Sequence, residues 1–427
     1  MTAVSDAATV ASRLRAIEGV GRDRRRGGYS RHVFTTAERE LREWFAERAA
    51  ACGLDVEPDG NGNVWAWWHP CPRGDAPAVV TGSHLDSVPG GGAFDGPLGV
   101  ISALCAVERL RASGFRPARP LAVVAFAEEE GGRFGVPCLG SRLLTGAIEP
   151  GSALRLTDGD GDTLADVAAR AGLRPERMGP DADLLARIGV FVELHVEQGR
   201  GLVDLDSPVA LGTSIDPHGR WRLSITGRGD HAGSAALADR RDPMVPAAHA
   251  VVAARQAARA ASHDGARATV GRLEPSPGGS NAIASRVDVW LDARSADGNV
   301  VRQVVAEVCA AAGRSAEQEG CELEVFAESW SEATRFDPLL RARMRGILGD
   351  LPELATGAGH DAGVLAAHVP AGMLYVRNPT GISHAPAEHA EPEDCESGVE
   401  ALTRVLSELA GSTGADGADG TGGNGSW

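Results

Sequence analysis

The sequence predicts an α/β protein with a mostly parallel sheet and flanking helices, interrupted by a smaller inserted α+β domain. Three observations predict it. As far as about residue 210, short apolar runs alternate with helical patterns, the texture of a parallel sheet covered by helices. From 213 to 328 the order becomes strand, helix, strand, strand, helix, strand, which suits a separate small sandwich. The residues after 328 return to the first texture, so 213–328 read as an insertion into a discontinuous domain of 1–212 and 329–411. A chain of 427 residues is also longer than one core usually spans.

The elements follow in order. The opening MTAVSDAATVASRLRAIEGV carries Asp6, Arg13, Arg15 and Glu18, too many charges for a signal peptide or membrane span, and a cytoplasmic protein is expected. TTAERELREWFAERAAACG reads as a helix: Thr35 and Glu38 have capping-box spacing, Leu41, Trp44, Phe45 and Arg48 share a face, and Gly53 stops it. Ala78–Val80 then lead into TGSHLDSVPGGGAFDGPLGV, where a strand gives way to a glycine loop. Val100, Ile101, Leu104, Val107 and Leu110 continue with helical period until Gly114. In the insertion, strands are read at WRLSITG, ARATVGRLE, VDVWLDARS and CELEVFAES, and helices at 244–261 and near 299–313. The tail, 412–427, is glycine, serine and acid without periodic hydrophobes and is expected to be disordered.

Composition narrows the function. A net charge of −16 and a pI near 5.2 would repel phosphate backbones and anionic lipid, so neither nucleic acid nor membrane is an expected partner. Small molecules are. Seven cysteines without a CxxC suit reduced thiols better than a disulfide frame, and cysteine chemistry is not expected. The chain has no lysine, which removes Schiff-base and P-loop chemistry.

Four segments share one pattern, an apolar strand-like run followed at once by acids or histidine. APAVVTGSHLD gives His84 and Asp86, with Asp95 along the loop; LAVVAFAEEEGGRFG gives Glu128, Glu129 and Glu130; GVFVELHVEQG gives His195, Glu197 and Gln198; GMLYVRNPTGISHAP gives His384. In open α/β sheets ligands collect beyond the carboxyl ends of the strands. Any one segment alone reads more readily as a polar surface; their recurrence carries the inference. Three histidines with such acids match the preferences of zinc or a similar divalent ion, and Asp95 could bridge two. Of two adjacent glutamates, one could ligate while the other takes a proton from water. The reaction class is hydrolysis.

The pieces GGYSRHVFTTAE, GNGNVWAW, GSHLDSVPGGGAFDGPLGV, AEEEGGRFG with CLGSR, ELHVEQG, GDHAGS with RRDPM, SNAIAS with LDARS, TGAGHDA and GISHAPAE run from about residue 27 to 388. In that order they resemble the M20-type metallo-amidohydrolases, in the branch of allantoate amidohydrolases, N-carbamoyl-L-amino-acid hydrolases and β-ureidopropionases. The resemblance implies a zinc-peptidase-like catalytic domain, with the insertion as a ferredoxin-like lid through which a homodimer forms. It implies two divalent metal ions, zinc or manganese, with cobalt or nickel also suiting the donors. His84 and His195 would bind one ion or the other, Asp95 would bridge, and Glu130 and His384 would complete the set. Glu129 falls at the general base, and Asp86 at the acid that orients a ligand imidazole. His231, Asn281 and Arg294 fall at the lid's substrate-contacting positions, where Arg294 offers a fork for a carboxylate. Gln198 and His360 fall beside them as substrate contacts or supports.

The resemblance implies hydrolysis of a ureido C–N bond in a small carboxylate. VRNPTGISHAPAEHA and HAG-x4-ADRRDPM favour allantoate, with release of ammonia and carbon dioxide. N-carbamoyl-L-amino acids, or N-carbamoyl-β-alanine, are the nearest rivals, a peptidase or deacylase activity of the wider family comes third, and a silent binding protein on the same fold is the alternative of another class. The chain departs from the family pattern at HAGSAAL, at Asn281-Ala-Ile-Ala and at His218, all in the inserted region.

Overall fold

The computed structural model describes residues 9–70 and 76–412, and the chain divides into two compact units, Ser214–Thr334 and the residues on either side of it. Residues 413–427, read as disordered tail, lie outside the described residues. No helix among the described residues is long and apolar enough to cross a membrane.

A nine-stranded mixed sheet organises the larger unit. At its centre lie four adjacent parallel strands, in the order Leu121–Phe126, Ala78–His84, Ile188–Val196 and Ala371–Val376. These are the four runs picked out above. Val64–Trp68 and Val209–Ile215 flank them antiparallel. Three of the four central strands are buried at every residue, as parallel strands covered on both faces must be, which is why they read as unbroken apolar runs. Helices Pro97–Ala112 and Pro392–Ala410 supply Leu98, Ile101, Leu104, Val399, Leu402 and Leu406 to the core formed with Val79, Val123, Val192 and Leu374.

One local expectation changes. The Thr35–Glu38 spacing predicts a capping box on helix Thr36–Ala51, yet Thr35 makes no side-chain cap. Its Oγ1 donates to the His32 carbonyl at 2.7 Å, and Glu38 Oε2 accepts from the Phe34 N–H at 2.9 Å. Glu38 is fully buried, and Arg42, four residues on, clasps its other oxygen, so the acid is held toward the core rather than back over the cap.

The smaller unit runs strand His218–Thr226, helix Met244–Ala260, strands Arg267–Ser276 and Arg286–Arg294, helix Gly298–Glu319 and strand Glu322–Ser331. Taken in chain order as one to four, its strands pair in the antiparallel order 4-1-3-2, the ferredoxin-like arrangement. Along Arg286–Arg294 burial alternates strictly, with Val287, Val289 and Leu291 packed against Val301, Val305 and Val308 of the second helix. That helix passes Gly313 and stops only where Gly320 takes a left-handed φ of 63°, because Ala312, Ser315 and Ala316 keep a small buried face going. The last strand runs beyond residue 328.

Candidate active site

The central strands of the larger unit deliver their polar groups at or beyond their carboxyl ends. His84 ends its strand and is completely buried. The next strand stops at Phe126 and the chain turns through Glu128 at a φ of 53°, while His384 sits at 56° in the loop after Val376. Only five non-glycine residues among those described have positive φ, and three of them, Glu128, His384 and Cys138 beside Glu129, are here, where strained backbone marks functional sites. Glycine permits the close approach on the other side: at Gly96, with a φ of 84°, a Cβ would lie 2.5 Å from the His84 ring.

Asp95 stands at the centre and its two oxygens face different neighbours. Oδ1 lies 3.5 Å from His84 Nε2 and 3.3 Å from His195 Nε2. Oδ2 lies 3.4 Å from His384 Nε2, which is in turn 3.2 Å from Glu130 Oε2. Two of the three potential metal-holding groups among the described residues share Asp95, His84–Asp95–His195 and Asp95–Glu130–His384; the third is Glu193–His195–His360. N and O donors about 2.0–2.2 Å from one tetrahedral ion stand about 3.3 Å apart, which is the spacing here. The Nε2 atoms of His84 and His195 are buried and have no hydrogen-bond partner. An orphaned buried nitrogen is costly unless something binds it, so the donor set fits a metal pair.

The three consecutive glutamates divide. Glu128 accepts the backbone N–H groups of Arg133 and Phe134 at 2.8 and 2.7 Å and braces the turn; burial and then Asp86 push its carboxyl up to about 8. Glu129 sits with Oε2 3.5 Å from His84 Nε2, its carboxyl held well above the usual range by burial, against the opposing pull of His84. Glu130 faces His384.

Neighbouring charges favour the ionised forms of Asp95 and His384. Burial works against the Asp95 carboxylate, but His195 and His84 bring it well below its usual range. Burial likewise opposes the His384 imidazolium, and Glu130 and then Asp95 outweigh it, raising the group to about 9. His360 goes the other way, lowered strongly by burial and then by His195, whose ring centroid is 4.5 Å away.

Asp86, Gln198 and Glu197 each have defined partners. The closest contact of His84 Nδ1 is the backbone carbonyl of Asp86, at 3.1 Å, with the carboxylate at 3.6 Å. That carboxylate accepts the N–H groups of Glu129 and Glu130 at 3.2 and 3.1 Å, so Asp86 aims the glutamates as well as the imidazole. Gln198 donates its amide to Asp95 Oδ2 at 2.9 Å and to Ser383 Oγ at 3.1 Å. Glu197 spends its carboxylate on the N–H groups of Gly201 and Leu202 at 2.6 and 2.9 Å.

His231, Asn281 and Arg294 belong to the smaller unit. His231 pairs with Ala282, next to Asn281, across a two-stranded ribbon, and both residues are exposed. Arg294 lies opposite His218 in the antiparallel pair and grips Asp292 with two donors at 2.7 and 3.0 Å.

Two acids escaped the sequence reading. Glu388 Oε1 accepts the N–H groups of Phe94 and Asp95, both at 2.9 Å, pinning the loop that carries Asp95. Its signal was a carboxylate four residues after His384 in GISHAPAE. Glu193, fully buried, takes Ser83 Oγ at 2.8 Å and the Ala362 N–H at 3.0 Å, so it ties the His84 strand to the helix that follows His360. An acid inside the apolar run VFVELHV was its signal.

The sequence profile of peptidase family M20/M25/M40 matches residues 80–408. The chain is 36% identical over 388 residues to an N-carbamoyl-L-amino acid amidohydrolase of Geobacillus stearothermophilus, covering 90% of this chain and 94% of that one. It is 29% identical over 395 residues to an allantoate amidohydrolase of Escherichia coli, covering 90% and 93%. Its fold superposes with a TM-score of 0.86 on the crystal structure of a hydantoinase/carbamoylase family amidase from Burkholderia vietnamiensis, at 28% identity and with 96% and 99% covered. Profile, relatives and fold agree over most of the sequence, and the chain belongs to peptidase family M20/M25/M40.

Proposed function

We propose that this protein is a binuclear metal-dependent amidohydrolase that cleaves the ureido C–N bond of a small carboxylate. The single observation that carries the reading is the division of Asp95, one oxygen toward His84 and His195 and the other toward His384. A pair of divalent ions held there would lower the pKa of water from about 15.7 toward about 7 and polarise the carbonyl. The chain's own groups do the rest. Glu129 takes a proton from the attacking water and returns it to the leaving nitrogen, a role suited by a carboxyl whose burial raises its proton affinity. Asp86 and Glu388 hold the backbones of the glutamates and of Asp95. His360, whose neutral form is favoured by burial beside His195, would hydrogen-bond substrate. Arg294, His231 and Asn281 are assigned to the substrate's carboxylate and ureido groups, so Asp292 has to share or release the Arg294 fork.

Allantoate is the substrate favoured by the motifs around His231 and His384. A second reading, an N-carbamoyl-L-amino acid, is favoured by the higher identity to the Geobacillus amidohydrolase. Both share the carboxylate and the ureido group. Ammonia release should be measured from allantoate, N-carbamoyl-L-amino acids and N-carbamoyl-β-alanine, and amine release from dipeptides, each after chelation and after adding back zinc or manganese. The expected result is metal-dependent turnover of a ureido carboxylate, with kcat/KM of about 10⁴ M⁻¹s⁻¹ or more, and none of dipeptides. Turnover of dipeptides alone, or turnover that survives chelation, would contradict the assignment. A cytoplasmic homodimer, formed through the smaller unit, belongs to the same proposal.

A further inference from the structure

The composition gave no chemical role to cysteine, but one thiol lies against the proposed base. Cys138 Sγ is 3.4 Å from Glu129 Oε1, the carboxylate oxygen turned away from His84, whose Nε2 is 3.5 Å from Oε2. A second bond fixes the same pair, since the Cys138 N–H donates to the Glu129 carbonyl at 2.7 Å. Cys138 holds a left-handed φ of 54° at the entrance to helix Leu139–Thr145. A residue with a Cβ is strained there, and that conformation places the side chain against Glu129. The side chain is buried, and burial, then Glu129 and Asp361, push the thiol well up. It is therefore an S–H donor rather than a thiolate nucleophile.

From this geometry we propose that Cys138 is a positioning residue: its S–H holds Glu129 Oε1 so that Oε2 alone is turned toward the His84–Asp95–His195 group. The inference rests on the reading of Glu129 as the base. A carboxylate on a rotatable stem needs such a tether, because a general base must stay within hydrogen-bond reach of the proton it takes. Asp86 holds only the backbone N–H of Glu129. Cys138 holds its carboxylate.

The test compares Cys138→Ala, which removes the donor, with Cys138→Ser, which keeps one; both retain a Cβ and so meet the same backbone strain. With the ureido substrate that the wild type turns over best, Cys138→Ala should lower kcat about tenfold, the size expected for a hydrogen bond to a charged group. KM should stay within about twofold, with metal content and Tm unchanged, and Cys138→Ser should recover most of the loss. Unchanged kcat in Cys138→Ala, or equal losses in both variants, would overturn the proposal. Glu129→Gln, measured alongside, separates the two levels: an active Glu129→Gln removes the base assignment itself, whereas an inactive one beside a fully active Cys138→Ala removes only the tether.

Discussion

Glu129→Gln is expected to lower kcat by about 10²–10⁴, the usual contribution of a positioned general base, while KM and metal content stay as in the wild type. The expectation follows from what the substitution changes. Glutamine keeps the shape and one oxygen, so Cys138 Sγ and the Glu129 backbone contacts have the same partners, but the group can no longer accept and return a proton. Stability should not suffer, because burial already disfavours charge at this position and an amide carries none. A Tm at or above the wild-type value, measured beside kcat, separates loss of chemistry from loss of fold. Turnover within tenfold of wild type would mean that another group carries the proton, and His360, buried with its ring centroid 4.5 Å from that of His195, would be examined first.

Asp95→Asn is expected to do more, since one side chain serves both metal-holding groups. Asparagine keeps the volume but has one oxygen in place of two and carries no charge. His84, His195 and His384 then lose the carboxylate that each has within 3.5 Å. Elemental analysis should fall from two ions per chain to fewer than one, and activity should drop about 10³-fold or more, the loss of several kcal/mol of charge stabilisation. His384→Ala provides the contrast. It touches only the Asp95–Glu130–His384 group and should leave one ion bound. If Asp95→Asn retained two ions, Asp95 would not be the bridge.

Much of this was legible because parallel strands declare themselves. Four apolar runs followed by His or acid are the four adjacent central strands, and strands buried on both faces read as near-continuous apolar runs. The order of strands and helices in the insertion was equally plain, since strand alternation and helical period differ. What could not be read were roles decided by direction. Glu197, Gln198 and Asp86 stand in the right stretches, but only coordinates tell that Glu197 turns back to Gly201 and Leu202, or that Gln198 turns onto Asp95. Glu388 and Cys138 act on groups 293 and 9 residues away in the chain; the motif around His384 marks Glu388 as a residue but not its partner, and nothing in composition or period marks Cys138. The Thr35–Glu38 spacing misled for the same reason: tertiary packing around Arg42 outcompeted a local cap.

The central claim, that two ions straddle Asp95, is tested most directly by anomalous diffraction from crystals grown with manganese or zinc. Two anomalous peaks about 3.5–4 Å apart are predicted, one within bonding distance of His84 and His195, the other of Glu130 and His384, with one Asp95 oxygen on each. A single peak, or peaks that leave Asp95 uncoordinated, would contradict the account.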